Sequence, residues 1–295
     1  MSFKILKRRI YQSIYRNEIL SPENQERRRL LSEAFFDTDG NILDETVCND
    51  NGQPEQSTSN IYKDSHLIEA TTTDLLNEIS EVQKFEYNEA GLLASKTLCF
   101  GDGSEMKTIY EYDDKKRLIR RIESDPEEET SQEKVYTYNG DLLMSVIETD
   151  NDGNTLESIT YDYDENGRQI TTTAGVGEEE GVSKMEYDEH NRPVVQRIYN
   201  TRNQLIARTT WEYEGNTVRE TVENNQGIVI TETENDEAGQ EIARTRMTKG
   251  GQILEQLTFA LHPDGRPDRT TGTRYTPAYD TFRFFSLDYE YELAE

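Results

Sequence analysis

Three histidines, two cysteines and 59 acidic residues are the chain's stock of reactive side chains, and their spacing decides what chemistry is open to them. His66, His190 and His262 lie in separate stretches, each in or beside turn-forming residues. No His-x-x-x-His or Cys-x-x-Cys spacing occurs, so the donor set of a zinc site is missing. Nothing resembles the strand-to-helix elbow that presents a nucleophilic serine, and the glycines sit in hairpins rather than in a phosphate-cradling loop. Asp150-Asn151-Asp152-Gly153-Asn154 and Asp37-Thr38-Asp39-Gly40-Asn41 imitate the start of a calcium loop. The twelfth position counted from Asp150, where a carboxylate is needed, is Tyr161. Carboxylate pairs of the glycosidase kind would arise anywhere in so acidic a chain. The expectation is a protein that is not an enzyme, with no catalytic, metal or cofactor residues, acting by non-covalent binding.

The residues best suited to binding are aromatic, and they recur. Tyr161 to Ile170 reads Y-D-Y-D-E-N-G-R-Q-I. Residues two apart in a strand share a face, so Tyr161 and Tyr163 point one way and Asp162 the other. Glu165-Asn166-Gly167 tolerates the positive φ of a tight reversal. The same aromatic-x-aromatic entry appears at Phe85/Tyr87, Tyr110/Tyr112, Tyr136/Tyr138 and Trp211/Tyr213, more weakly at Met185/Tyr187, and again as Phe259-x-Leu261 two periods after Tyr213. Positions 87, 112, 138, 163, 187 and 213 are 25, 26, 25, 24 and 26 residues apart. So regular a period is a repeat architecture. Two strands and two turns per period predict an antiparallel meander of about eighteen to twenty strands, too wide to stay flat.

The motif Tyr161-Asp-x-x-x-Asn-Gly-Arg, with Tyr112-Asp-x-x-x-x-Arg-Leu and Tyr187-Asp-x-x-x-Asn-Arg, resembles the YD repeat of Rhs-type bacterial toxin shells and teneurins. The resemblance covers roughly residues 85 to 270, and more faintly 35 to 84. It implies an all-β repeat protein, its hairpins curled into a rolled or spiralling sheet. Two features of the toxin shells are missing: the only Asp-Pro is Asp125-Pro126 within a turn, and no separate C-terminal toxin segment follows the repeats.

Composition supports a wall rather than a solid core. Only 33% of residues are apolar, and 17 tyrosines outnumber nine phenylalanines and one tryptophan, so the tyrosine face is expected to be semi-polar, turned inward and partly wet. Thr, Glu and Arg are expected outward as cross-strand pairs. Formal net charge is −27. Residues 1 to 30 hold eight basic and three acidic residues, a net of +5, leaving −32 for the remainder. That body repels nucleic acid and favours basic partners. Cytoplasmic residence is expected: Cys48 and Cys99 lack redox spacing, and neither a secretory leader nor an apolar membrane span is visible.

Three segments follow. Residues 1–34 read as a basic amphipathic helical cap or docking element, with Phe3, Leu6, Ile10 and Ile14 at helical spacing and Lys7, Arg8 and Arg9 on the flank. Ser21-Pro22 then starts a second helix reaching about Ala34. As a docking element, residues 1–30 would contact a membrane or ribosome. Residues 35–273 carry the repeats, and residues 274–295 are an aromatic final strand or plug. The expected function is a scaffold that holds a partner polypeptide through Tyr110, Tyr112, Tyr136, Tyr138, Tyr161, Tyr163, Trp211 and Tyr213 or through its acidic surface. Two alternatives stand beside it: an immunity-type neutraliser of a basic toxin, and a carbohydrate-binding protein.

Overall fold

Thr, Val, Ile and aromatic residues alternate with charged ones, and Gly, Asn or Asp closes most segments, which is the chemistry of short strands and tight reversals. The computed structural model describes residues 4–125, 129–176 and 180–294; within them lie 22 strands and two single-turn 3-10 helices. The first seven strands are β1 (Ile5–Tyr15), β2 (Gln25–Phe36), β3 (Ile42–Cys48), β4 (Pro54–Lys63), β5 (His66–Asp74), β6 (Ile79–Tyr87) and β7 (Leu93–Cys99). Next come β8 (Glu105–Tyr112), β9 (Leu118–Asp125), β10 (Thr130–Asn139), β11 (Leu142–Asp150), β12 (Thr155–Tyr163), β13 (Gln169–Gly175) and β14 (Gly181–Tyr187). The last eight are β15 (Pro193–Tyr199), β16 (Leu205–Glu214), β17 (Thr217–Asn224), β18 (Gly227–Asn235), β19 (Glu241–Thr248), β20 (Ile253–Leu261), β21 (Pro267–Thr276) and β22 (Thr281–Leu293).

Each strand pairs antiparallel with the next, and β22 returns to pair with β1 from Ile5↔Leu293 to Tyr15↔Phe284. The Ala294 amide donates to the Lys4 carbonyl at 2.9 Å, tying the ends of the seam. The meander is therefore a closed barrel, not an open spiral, and closure removes both edges of the sheet. With strands about 4.8 Å apart and the usual tilt, 22 of them would enclose a circular bore roughly 40–45 Å across between backbones.

The wall is one sheet thick. Its accessible surface is 18842 Å², whereas a compact protein of 34.2 kDa exposes about 13,000 Å². Buried apolar side chains among the described residues are Tyr15, Ala34, Cys48, Val146 and Ile230, far too few for a core. Backbone ladders and cross-strand pairs hold the sheet instead. On one face Ser95 donates to Glu86 at 2.7 Å, Arg120 bridges Glu111 and Glu133 on its two neighbouring strands at 3.2 and 2.6 Å, and Arg219 reaches Glu232 at 3.1 Å. The opposite face carries the aromatic pairs, each ring half-buried while the residue between them is exposed.

The amino-terminal segment differs from the helical reading. Residues 5–15 are β1, residues 25–36 are β2, and Ser21-Pro22 opens only a single 3-10 turn with no side-chain cap. Ile10 and Ile14, four apart, satisfy a helical period and a strand period equally. Register settles the matter: Arg8, Ile10, Gln12 and Ile14 share the aromatic face, opposite Arg9, Tyr11, Ser13 and Tyr15. Without β1 and β2 the sheet would keep two open edges, and pairing outweighs the weak local preference. These extra strands raise the count above the expected eighteen to twenty. The aromatic C-terminal stretch likewise lies in the wall as the end of β21 and β22, not across the bore. Phe3 and Pro126 lie outside the described residues.

One glycine is fixed by close approach. Gly272 on β21 lies between Leu257 and Phe285 on the flanking strands. A β-carbon there would sit 2.6 Å from Leu257 Cδ2, 2.8 Å from Phe285 Cζ and 2.9 Å from the Gln256 carbonyl oxygen. Gly272→Ala is expected to destabilise the barrel by about 1–3 kcal/mol, measured by chemical denaturation. An unchanged midpoint would refute the packing described.

Candidate functional site

The reversals and the aromatic pairs form one repeating device. At Asp164 the carboxylate accepts the backbone N–H groups of Asn166 and Arg168, both at 2.9 Å, and its second oxygen accepts Arg168 Nε at 2.6 Å. The Gly167 amide closes the turn onto the Asp164 carbonyl at 3.0 Å, with Gly167 at φ +75°. At the matching place in the next repeat Asn191 takes φ +63°, which its short polar side chain tolerates. Asp113–Arg117 and Asp188–Arg192 repeat the arrangement, and Asp264–Arg266 shortens it by two residues. Each arginine then lies over the tyrosine of the following repeat: Arg117 over Tyr138 at 4.4 Å, Arg168 over Tyr187 at 5.0 Å, Arg192 over Tyr213 at 4.2 Å and Arg266 over Tyr291 at 4.7 Å.

Those tyrosines complete the device. Just before Tyr62, Tyr87, Tyr112, Tyr138, Tyr163 and Tyr187 the pairing slips by one residue on the next strand. Such a bulge interrupts the ladder and frees a carbonyl. The tyrosine one repeat later donates to that carbonyl: Tyr87 to Leu67, Tyr112 to Leu93, Tyr138 to Leu118, Tyr163 to Leu143, Tyr187 to Gln169 and Tyr213 to Pro193, all between 2.7 and 2.9 Å. Tyr291 does the same to Pro267 at 3.0 Å, next to the slip at Leu261. No slip follows Tyr213. One repeat later Asn235, not tyrosine, contacts the Asn216 carbonyl, which accounts for the gap in the aromatic series.

The sequence-predicted binding set therefore divides. Tyr112, Tyr138, Tyr163 and Tyr213 are clasps engaged within the wall. Tyr110, Tyr136 and Tyr161 share their face, and their hydroxyls bond to no described residue; Trp211 Nε1 donates to Glu220 at 3.1 Å. This inner row is the part left available to a ligand. A groove of ≈ 560 Å³ beside Trp211 crosses β16 to β20 over Glu220, Thr231, Arg246 and Glu255. A second groove, of ≈ 600 Å³, crosses β21, β22, β1 and β2 on the same face. The turn arginines were not singled out in the sequence; the Asp-x-x-x-Arg spacing was their signal.

The expected docking residues Leu6, Lys7, Arg8, Arg9, Ile10 and Ile14 belong to β1. Lys7 pairs with Glu33 at 2.9 Å and Arg8 with Glu45 at 3.4 Å, while Arg9 is shared between Glu33 and Glu292. Their charge is engaged by glutamates of β2, β3 and β22 rather than presented on a free helix. Asp150, of the calcium-like turn, spends its carboxylate on the Asp152 and Asn154 amides and the Asn154 side chain.

No family model matches the chain, and no curated protein matches it. Among solved structures, the TcdB2-TccC3-Cdc42 crystal structure aligns with 90% of this chain at 13% identity and a TM-score of 0.41. This chain spans 16% of that one. A porin-like protein from Bacteroides uniformis aligns over 98% of both chains at 10% identity and a TM-score of 0.37.

Two measurements test the clasp. Tyr163→Phe should cost about 0.5–1.5 kcal/mol in denaturant by orphaning the Leu143 carbonyl, whereas Tyr161→Phe should cost almost nothing; equal losses would overturn the division. Stability should also form a plateau with pH. The Arg117 side chain holds Asp113, and the Arg168 amide holds Asp164, below the ordinary value of 3.8. Their contribution is complete above that value and is lost as pH falls through the lowered ones. Burial raises Tyr112 and Tyr163 above 10.0, so theirs is complete below 10.0 and is lost as pH rises through the raised values. Tyr163→Phe should blunt the alkaline fall and spare the acid one; an unaltered alkaline limb would count against the assignment.

Proposed function

We propose that the barrel is a binding scaffold that holds a partner polypeptide along the aromatic row of its concave face. The observation that carries this is the pairing of a one-layer, water-exposed wall with a row of half-buried rings, Tyr110, Tyr136, Tyr161 and Trp211, that the clasps leave free. Aromatic platforms bury large area at little entropic cost and adapt to varied side chains. No described segment is long enough to fill the bore: turns and the stretch from Arg16 to Asn24 are all that lies outside the strands. We infer also that the chain is a YD-repeat relative. The support is the Asp-turn, arginine and tyrosine clasp, which gives each residue of that motif a physical task.

The wall favours a watery setting. Glu111, Arg120, Glu133, Arg197 and Arg219 stud one face, and Arg121, Lys134, Glu148, Arg246 and Glu255 the other. A lipid-facing band would have to be apolar, and each Arg or Lys at mid-bilayer costs about 2–4 kcal/mol. Among the described residues neither face offers such a band.

Trp211, the single tryptophan, reports on the row. Reduced, alkylated lactalbumin, a permanently unfolded chain, should shift Trp211 emission with equal affinity in low and high salt. Combined Tyr110→Ala, Tyr136→Ala and Tyr161→Ala should weaken that binding by roughly tenfold or more. Binding that collapses with salt and is matched by polylysine would favour the neutraliser of basic proteins. Binding unaffected by the triple substitution, or no binding, would sink the scaffold reading.

A further inference from the structure

The seam where the barrel closes holds a concentration of positive charge that its surroundings do not balance. The ≈ 600 Å³ groove on the aromatic face there is lined by Arg27 and Arg29 of β2, Arg274 of β21 and Arg283 of β22, with the Phe285 ring among its apolar residues and Asp50 at its rim. Four guanidinium groups thus meet one lining carboxylate in a chain of net charge −27. Arg274 and Arg283 are directly opposite in the antiparallel register, and like charges so placed repel.

Partners of the four are unequal. Arg29 is held by Gln12 at 2.7 Å and Asp50 at 2.5 Å. Arg274 meets Glu255 at 2.5 Å, and Arg27 donates to the Asp50 carbonyl. Arg283 makes no hydrogen bond or ion pair with a described residue; Asp50 acts on it only at longer range, through a carboxylate already engaged by Arg29. Elsewhere along the seam cations are matched: Arg9 finds Glu33 on the adjacent strand, while Arg8 and Arg28 reach across one strand to Glu45 and Glu290.

The groove's dimensions and chemistry describe a ligand. Its volume lies within the usual range for small-molecule sites, which combine an apolar lining with a few convergent polar groups. Guanidinium forks match the paired oxygens of carboxylates and phosphates. The Phe285 ring, with Arg274 6.0 Å from its centroid, offers a surface for a flat apolar body. We propose that the seam groove binds an oxyanion-bearing ligand, a carboxylate or phosphate on a planar apolar frame, with Arg283 as its unengaged anchor. This site is independent of the polypeptide-holding reading and stands or falls separately from it.

The test uses 2-naphthoate, 2-naphthyl phosphate and the neutral 2-naphthalenemethanol, each measured by equilibrium dialysis against the full chain. Saturable binding of one anion per chain is expected, with the alcohol weaker by roughly tenfold or more. Whichever of the two anions binds tighter identifies the oxyanion preferred. Arg283→Gln should lose about tenfold in affinity, and Arg27→Gln, also exposed, should lose affinity as well, guarding against a fold defect in one variant. Arg208→Gln on the opposite face should bind normally. Alcohol binding as tight as naphthoate, undiminished binding in both variants, or no saturable binding of either anion would overturn the proposal.

Discussion

A carbonyl without a partner governs this molecule. At the end of most hairpins the ladder slips by one residue, and a backbone oxygen leaves the sheet's own hydrogen-bonding pattern. An unpaired backbone acceptor is costly wherever water is excluded. The tyrosine one repeat later supplies the missing donor and brings its ring under the arginine of the preceding turn. Each repeat is thereby completed by its neighbour. That dependence sets the period, fixes the register and explains why no single hairpin of this kind would persist alone.

A structure built this way can afford almost no interior. Ordinary domains bury aliphatic side chains between two layers; here a single layer satisfies its backbone by closing on itself and satisfies its side chains in pairs along the surface. Most ion pairs are exposed, and individually such pairs contribute little. Those that do bridge strands, as Arg120 does to Glu111 and Glu133 and Arg219 to Glu232, give the wall specificity of register more than strength. The rings left over from the clasps are then the molecule's uncommitted apolar surface, and the seam is where its positive charge gathers.

Much of this was legible in the sequence. The aromatic spacing, the Asn-Gly and Asp-Gly reversals and the final alternation at Tyr289, Tyr291 and Leu293 announced strands, their number within a few and the shared face of the rings. Residues 1–34 were misread because Ile10 and Ile14 fit either period and because the need to seal the sheet is a property of the whole chain, invisible in any window of it. The same limit applied to the binding set. Tyr161 and Tyr163 look alike in sequence, and only the slip at Tyr138 on the preceding hairpin, with the carbonyl it releases at Leu143, distinguishes a clasp from a free ring. Arg283 gave no signal at all, since its meaning comes from strands at opposite ends of the chain.

The seam also dictates how the molecule must come together. Every pairing but one joins strands that are adjacent in the chain, so hairpins can zip up locally and early. The exception brings Ile5 to Leu293, and the entropy of that loop must be met in a single late event unless the intervening ribbon has already curled. Until then β1 and β22 each present a row of unsatisfied amides and carbonyls, ready to join another copy instead of each other. Intramolecular sealing thus competes with chain-to-chain swapping, and the curvature that the bulges impose on the nascent ribbon is what tilts that race toward the solitary ring.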